Sequence, residues 1–232
     1  TWRNKNISKE SEGLTIDSLD EETRDIILNA EGRDEYPEAG ALILLSDERA
    51  RVFDDNTAVF EQRYVIKILN ERGRESFAEI EIDYDSTDET VEIEYARTIK
   101  KDGSVVLVGD KHIRDVSRYL NFPLYSNARV KIISMPEVSE GSIIEYKAKI
   151  FLRKLINEDD VMFNYRLQEF EPIKKARFEL VLPKDRVLAE RMMNERYNLP
   201  GIELKPQLTE EHDFKKYVWS FNDIPQIIPE DS

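Results

Sequence analysis

Ser142 to Lys154 reads SIIEYKAKIFLRK. Ile144, Tyr146, Ala148, Ile150 and Leu152 occupy alternate positions, and Glu145, Lys147, Lys149 and Arg153 place charge between them. A period of two is the signature of an extended chain, whose successive side chains point to opposite sides. The stretch therefore predicts a long strand with one apolar face on a core and one solvated face. Its length and regularity argue against an edge fragment, so it needs partners of the same kind.

Such partners are written along the chain. Ala41 to Leu45 and Glu48 to Phe53 read as two strands, followed by the turn cluster Asp54-Asp55-Asn56. Thr57 to Leu69 alternates, with Ala58, Phe60, Tyr64, Ile66 and Ile68 on one side; Asn70 to Glu75 breaks the pattern, and Gly73 is expected at positive φ. Ala78 to Tyr84 alternates again. After the acidic turn Asp85 to Glu89, Val91, Ile93 and Tyr95 share a face, and Lys101-Asp102-Gly103 reads as a hairpin turn into Ser104 to Val108. Gly109 to Asn127 has no clear period. Ala128 to Ser134, Phe163 to Phe170, Lys175 to Leu182 and Lys215 to Phe221 complete the expected strands, while Val187 to Asn194 fits helix or strand equally.

One segment has helical spacing. Leu19, Thr23, Ile26, Ile27 and Ala30 follow Ser18-Leu19-Asp20-Glu21, which has the spacing of a capping box with Ser18 as N-cap. Many short strands with a single short N-terminal helix predict an all-β, mainly antiparallel sandwich. Residues 1–35 are expected as a tail and helix, 36–224 as the β domain, and 225–232 as a linker toward a following domain.

Composition narrows the function. The 232 residues carry 48 Asp and Glu against 34 Lys and Arg, a net charge of −14, which repels nucleic acid backbones and anionic membrane surfaces. Cysteine is absent, so disulfides, thiolate zinc sites and a cysteine nucleophile are excluded within this chain. No apolar run approaches the length of a membrane span, and a soluble domain is expected. The chain begins at Thr1 rather than Met, as expected of a mature or excised piece.

Motifs for chemistry are missing. His112 and His212 are the only histidines, and neither has ligand-spaced companions; no GxSxG, HExxH or phosphate-cradling glycine loop occurs. No catalytic residue, cofactor or metal ligand set is assigned. Asp83, Asp85, Asp88 and Glu89 supply oxygens of the kind that bind calcium, without EF-hand order, and a solvated acidic turn is the favoured account of them. The irregular stretch 109–127 is the candidate interaction surface. Its Arg118, Tyr119, Phe122 and Tyr125 combine flat faces with hydrogen-bonding tips, the chemistry that grips a glycan, a peptide or another domain. The plainer role for these aromatics is to pin a long loop onto the sheets.

Four segments in order carry a resemblance. They are YPEAGALILLSDERARV from Tyr36, VIKILNERGRESFAEIEIDYD from Val65, ARTIKKDGSVVLV from Ala96, and LYSNARVKIISMPEVSEGSIIEYKAKI from Leu124. Over roughly residues 36 to 222 the chain resembles the bacterial DUF3857 family, a β domain that commonly precedes a transglutaminase-like domain. The resemblance implies an immunoglobulin-like β-sandwich in a periplasmic or cell-envelope protein, with a papain-like domain following this chain. That neighbour would supply the Cys-His-Asp set, leaving this chain as a non-catalytic accessory module. A stand-alone module binding glycans or envelope polymers is the alternative.

Overall fold

The structure, a computed structural model, describes residues 13–119, 127–155, 162–191, 193 and 204–228. Alternating sequence becomes strand almost wherever it was expected. In chain order the elements are α1 (Glu21–Leu28), β1 (Ala41–Val52), β2 (Ala58–Ile68), α2 (Glu71–Phe77), β3 (Glu79–Asp85), β4 (Glu89–Ile99), β5 (Val105–Leu107), β6 (Ile113–Ser117), β7 (Ala128–Ser134), β8 (Ile143–Leu152), β9 (Ile173–Pro183), β10 (Gln207–Glu210) and β11 (Phe214–Ile224). Eight strands form one sheet in the order β10-β11-β9-β1-β2-β8-β4-β5, and three form a second in the order β3-β7-β6. All pairings between these strands are antiparallel except β1 with β9. The fold is all-β and mainly antiparallel. No described helix is long and apolar enough to cross a membrane.

The strand that opens the sequence argument, β8, lies inside the large sheet between β2 and β4. Its even side chains behave as expected. Ile144, Tyr146 and Ala148 join Ile43, Ile66 and Ile68 from the neighbouring strands, and meet Ile80, Ile82, Ile133 and Met135 from the three-stranded side in one core. Burial of this apolar area between the layers is the main stabilising contribution.

The odd side of β8 departs from expectation. Its first half is buried on both faces, because the N-terminal segment covers the back of the sheet there. Leu19, Ile26, Ile27, Ala30 and Tyr36 pack over Leu42, Leu44, Val65, Ile99 and Ile143 in a second core. Helix α1 starts at Asp20, not Ser18: the Asp20 carboxylate accepts the Thr23 amide at 2.9 Å and the Thr23 hydroxyl at 2.6 Å. Further along, the odd positions are solvated as the alternation implied, and Lys147 and Lys149 pair across strands with Glu94 at 2.8 and 2.6 Å.

Under α1 sits Glu145, 0 % exposed. Its carboxylate takes hydrogen bonds from Arg63 Nε at 3.0 Å, the Tyr95 hydroxyl at 3.0 Å and Arg97 Nε at 2.7 Å, while Arg97 Nη2 lies 2.6 Å from Oε2. Arg63 uses its other nitrogens on the helix, with Nη1 to Glu22 at 2.7 Å and Nη2 to the buried Thr23 hydroxyl at 2.7 Å. Three central strands and α1 are thus tied through one carboxylate.

Five local differences separate the structure from these expectations. The two strands expected over 41–53 are one continuous strand, β1, because the polar Ser46-Asp47 pair keeps the ladder registers to β2 and β9. The break at 70–77 is a second helix, α2, whose N-cap Asn70 accepts the Gly73 amide at 3.3 Å. Gly73 is not at positive φ; it is glycine because a Cβ there would come within 1.9 Å of the Gly40 carbonyl oxygen. Part of the expected irregular stretch is strand β6. Conversely, 162–170 is extended but joins no ladder: Phe163, Tyr165 and Leu167 pack inward while Met162, Asn164 and Arg166 face solvent.

Glu145→Ala is expected to cost about 3 kcal/mol or more in denaturant unfolding, since it strands two largely buried guanidinium groups. Hydrogen exchange should rise along α1 in the same variant.

Candidate interaction surface

The three-stranded sheet orders its charges by register. On its outer face, β3 carries the acidic row Glu79, Glu81, Asp83 and Asp85, all exposed. β6 and the residue after it carry Arg114 and Arg118. Between them runs β7, where Ile132 pairs with both Glu81 and Arg114, and Val130 with Asp83 and Val116. Arg114 reaches Glu79 at 2.6 Å, and Arg118 reaches Glu81 at 2.6 Å and Asp83 at 3.4 Å. These pairs pass over β7, whose Val130 and Ile132 are buried. Solvated ion pairs of this kind contribute little stability individually; here their aliphatic stems cover apolar strand.

At the end of the sheet that carries Arg118, Tyr84 and Arg129 converge on Asp115. The Tyr84 hydroxyl donates to Asp115 at 2.8 Å, and Arg129 donates through Nε at 2.8 Å and through Nη2 to the Asp115 carbonyl at 3.0 Å. Burial opposes the Asp115 charge, but these donors prevail and hold its carboxyl below the usual range. Asp83, Tyr84, Asp85, Arg118, Tyr119, Ala128 and Arg129 line an open concavity of about 380 Å³.

Of the four side chains proposed from sequence, Arg118 and Tyr119 lie in this concavity, and Phe122 and Tyr125 fall outside the described residues. Tyr119 is 57 % exposed, so its ring does not pin the loop. Sequence reading missed Tyr84, Asp115 and Arg129. The signal available was the pairing of two charge rows, acidic EIEID at 79–83 and basic IRDVSR at 113–118, which only strand status for the latter would have revealed.

The acidic turn is occupied by its own backbone. Asp85 Oδ1 accepts the Thr87 amide at 2.8 Å, Glu89 Oε2 accepts the Asp85 amide at 2.7 Å, and Asp83 faces Arg118. Among the described residues, no group of three or more Asp, Glu or His side chains is arranged to hold a metal ion. His112 ends a short 3-10 turn, and His212 is solvent-exposed beside Asp213.

A second polar cluster lies on the core side of the large sheet. Glu48 accepts a hydrogen bond from the Tyr64 hydroxyl, and the Tyr64 ring stacks on Tyr146 with centroids 5.5 Å apart. Tyr165 and Glu169 of the segment 162–170 and the neighbouring Asp47 complete the surroundings. Burial pushes the Glu48 carboxyl up, the Tyr64 hydrogen bond opposes this, and the charges of Glu169 and Asp47 add to it.

Two outcomes follow from this chemistry. A carboxyl raised in the folded state stabilises most below its unfolded pKa of about 4.3, and that contribution is lost as pH rises through the folded value. Glu48→Gln should therefore raise the melting temperature at neutral pH, with the gain shrinking toward pH 4. Calcium at the millimolar levels that extracellular modules bind should leave the melting temperature unchanged, because Asp83, Asp85 and Glu89 are already engaged by Arg118 and by backbone amides; a calcium-dependent rise would reassign Asp83, Asp85, Asp88 and Glu89.

With this geometry described, the chain can be set beside known proteins. No curated protein matches it. A candidate protease from Parabacteroides distasonis, known from its crystal structure, shares the fold with a TM-score of 0.69 over 82 % of this chain at 17 % identity. The chain spans 37 % of the length of that protein. A CBM3a-L domain from a cellulosome scaffoldin of Clostridium thermocellum, at 9 % identity, aligns over 55 % of this chain and 79 % of its own with a TM-score of 0.31, too distant for the likeness to carry weight. A family model described as a domain of unknown function with a solved structure, DUF3857, matches residues 54–228. The span matched is most of the chain and takes in three of the four ordered segments, the one from Tyr36 lying before it; the chain belongs to the DUF3857 family.

Proposed function

We propose that this chain is a non-catalytic accessory domain of a bacterial cell-envelope protein, and that it supports a transglutaminase-like domain of papain fold lying downstream in the same polypeptide. The observation that carries this reading is the solved relative: its matched part has this fold, and the match spans 37 % of a longer candidate protease. The chemistry of this chain agrees. It contains no cysteine. The most buried carboxylate among the described residues, Glu145, is engaged by two arginines and a tyrosine under α1, which leaves it no substrate to meet. The reactive set of a papain-like enzyme would lie outside this chain, and the β domain would position or shield it.

A second reading is favoured by one observation. Tyr119 stands exposed over a concavity lined with Arg118, Arg129, Asp83 and Asp85, a stacking face beside hydrogen-bonding groups. That combination suits a glycan or a peptide from an envelope polymer, and would make this a binding module.

The two readings separate in the full-length parent protein. Deleting the β domain should reduce the stability or hydrolytic activity of the downstream domain if the role is support. Tyr119→Ala should leave both intact and instead abolish retention on cell-wall glycans if the role is binding. Unchanged stability, activity and targeting after deletion would overturn the accessory role.

A further inference from the structure

The segment after β11 is braced against the domain. β11 ends at Ile224, 1 % exposed and paired with Ile173. The residue before it, Asp223, has φ 52°, a left-handed conformation that Asp adopts more readily than most residues. Its carboxylate is ion-paired with Lys174, which also reaches Glu31 at 3.1 Å. Past Ile224 the backbone stays attached: Gln168 Nε2 donates to the Pro225 carbonyl at 3.1 Å, and the Ile227 amide donates to the Glu169 carbonyl at 2.8 Å. Residues 225–228 thus run beside 168–170.

On this fixed segment stand apolar side chains in water. Phe170 is 63 % exposed and Ile228 75 %, with Ile227 also exposed. A single exposed apolar residue is ordinary. Here an aromatic and two β-branched residues are brought within a residue or two of one backbone hydrogen bond. The polar border is Arg166, which lies 3.6 Å from Glu169.

We infer that this segment is a docking face for the polypeptide that continues beyond it, so that the following domain is held against Phe170, Ile227 and Ile228 in a fixed orientation. The inference rests on the accessory reading above. What selects this occupant is position. The apolar residues lie on the covalent exit itself, where a domain in cis presents its surface at an effective concentration of order millimolar without any diffusional search. A braced exit with an apolar face transmits orientation, whereas a free tether needs neither. The partner surface is apolar at its centre, and the contact belongs with interdomain interfaces within one chain, which are modest in area.

The test uses the full-length parent polypeptide, its double variant Phe170→Ser/Ile228→Ser, and the single variant Ile228→Ser. These side chains are exposed, so the β domain should keep its melting temperature, which is checked in each variant. Small-angle scattering should give one compact arrangement for the parent and a broadened, longer distribution for the double variant, with a smaller change for the single one. Hydrogen exchange should show protection of segment 168–170 and 225–228 in the parent and its loss in the double variant. Identical scattering and exchange in parent and double variant would overturn the docking face, even where deletion of the β domain still impairs the downstream domain. If deletion itself changes nothing, the accessory reading falls instead. Concentration-dependent self-association of this chain that the substitutions abolish would assign the face to a second copy and also overturn the inference.

Discussion

A carboxylate with no access to water must be matched by donors or it will not stay charged. Glu145 meets that requirement in the middle of the large sheet, and much of the structure follows from how it does so. The donors come from β2 and from β4 at Tyr95, which closes the bulge after Ile93, and at Arg97 two residues on, so strand register is fixed where the carboxylate sits. Arg63 cannot satisfy its remaining nitrogens on the sheet, and α1 supplies Glu22 and Thr23. The helix is therefore a lid over an ion cluster as well as an apolar cover, and the two roles specify one docking position. Apolar packing alone would tolerate sliding; a guanidinium that must meet three acceptors does not.

The two faces of the large sheet divide the remaining work. One face meets the three-stranded sheet and the extended segment 162–170 over an apolar core. Among the described residues, the other is covered where α1 and its flanks lie, and beyond that it is laced with cross-strand ion pairs such as Asp47–Arg177 and Arg49–Glu179. A broad solvated sheet face with both charge signs interleaved resists edge and face association, consistent with a domain that makes its contacts at chosen places. The family match begins at residue 54, yet β1 and α1 precede it, and β1 is hydrogen-bonded between β9 and β2. The physical unit is larger than the matched span, since removing β1 would split the large sheet.

The chain's chemistry points the same way. Among the described residues, several charged groups are employed on one another: Arg118 on Glu81 and Asp83, Arg129 on Asp115, Lys174 on Glu31 and Asp223. Among the exposed apolar side chains of the described residues are the Tyr119 ring at one end of the small sheet and Phe170, Ile227 and Ile228 after β11, alongside Leu28, Met162 and Val187.

The sequence by itself determined which residues are extended and which side of each faces the core, because a period of two is a local property of the chain. It placed β2, β3, β7, β8 and β9 within a residue or two and β11 within three, and the ordered segments carried the family. It expected Phe163 to Phe170 as a strand, and that segment is extended, but alternation reports burial and not pairing, so the missing ladder was invisible. Gly73 looked like a turn because the carbonyl of Gly40 that excludes a Cβ there is distant in sequence. Only the tertiary structure decided that Glu145, which alternates like its charged neighbours Lys147 and Lys149, is buried while they are solvated. The difference is the helix laid over one half of the strand, held by partners 82 and 48 residues away. The same holds for the concavity at Tyr119 and the braced exit, since each joins residues that come together only after the strands have paired.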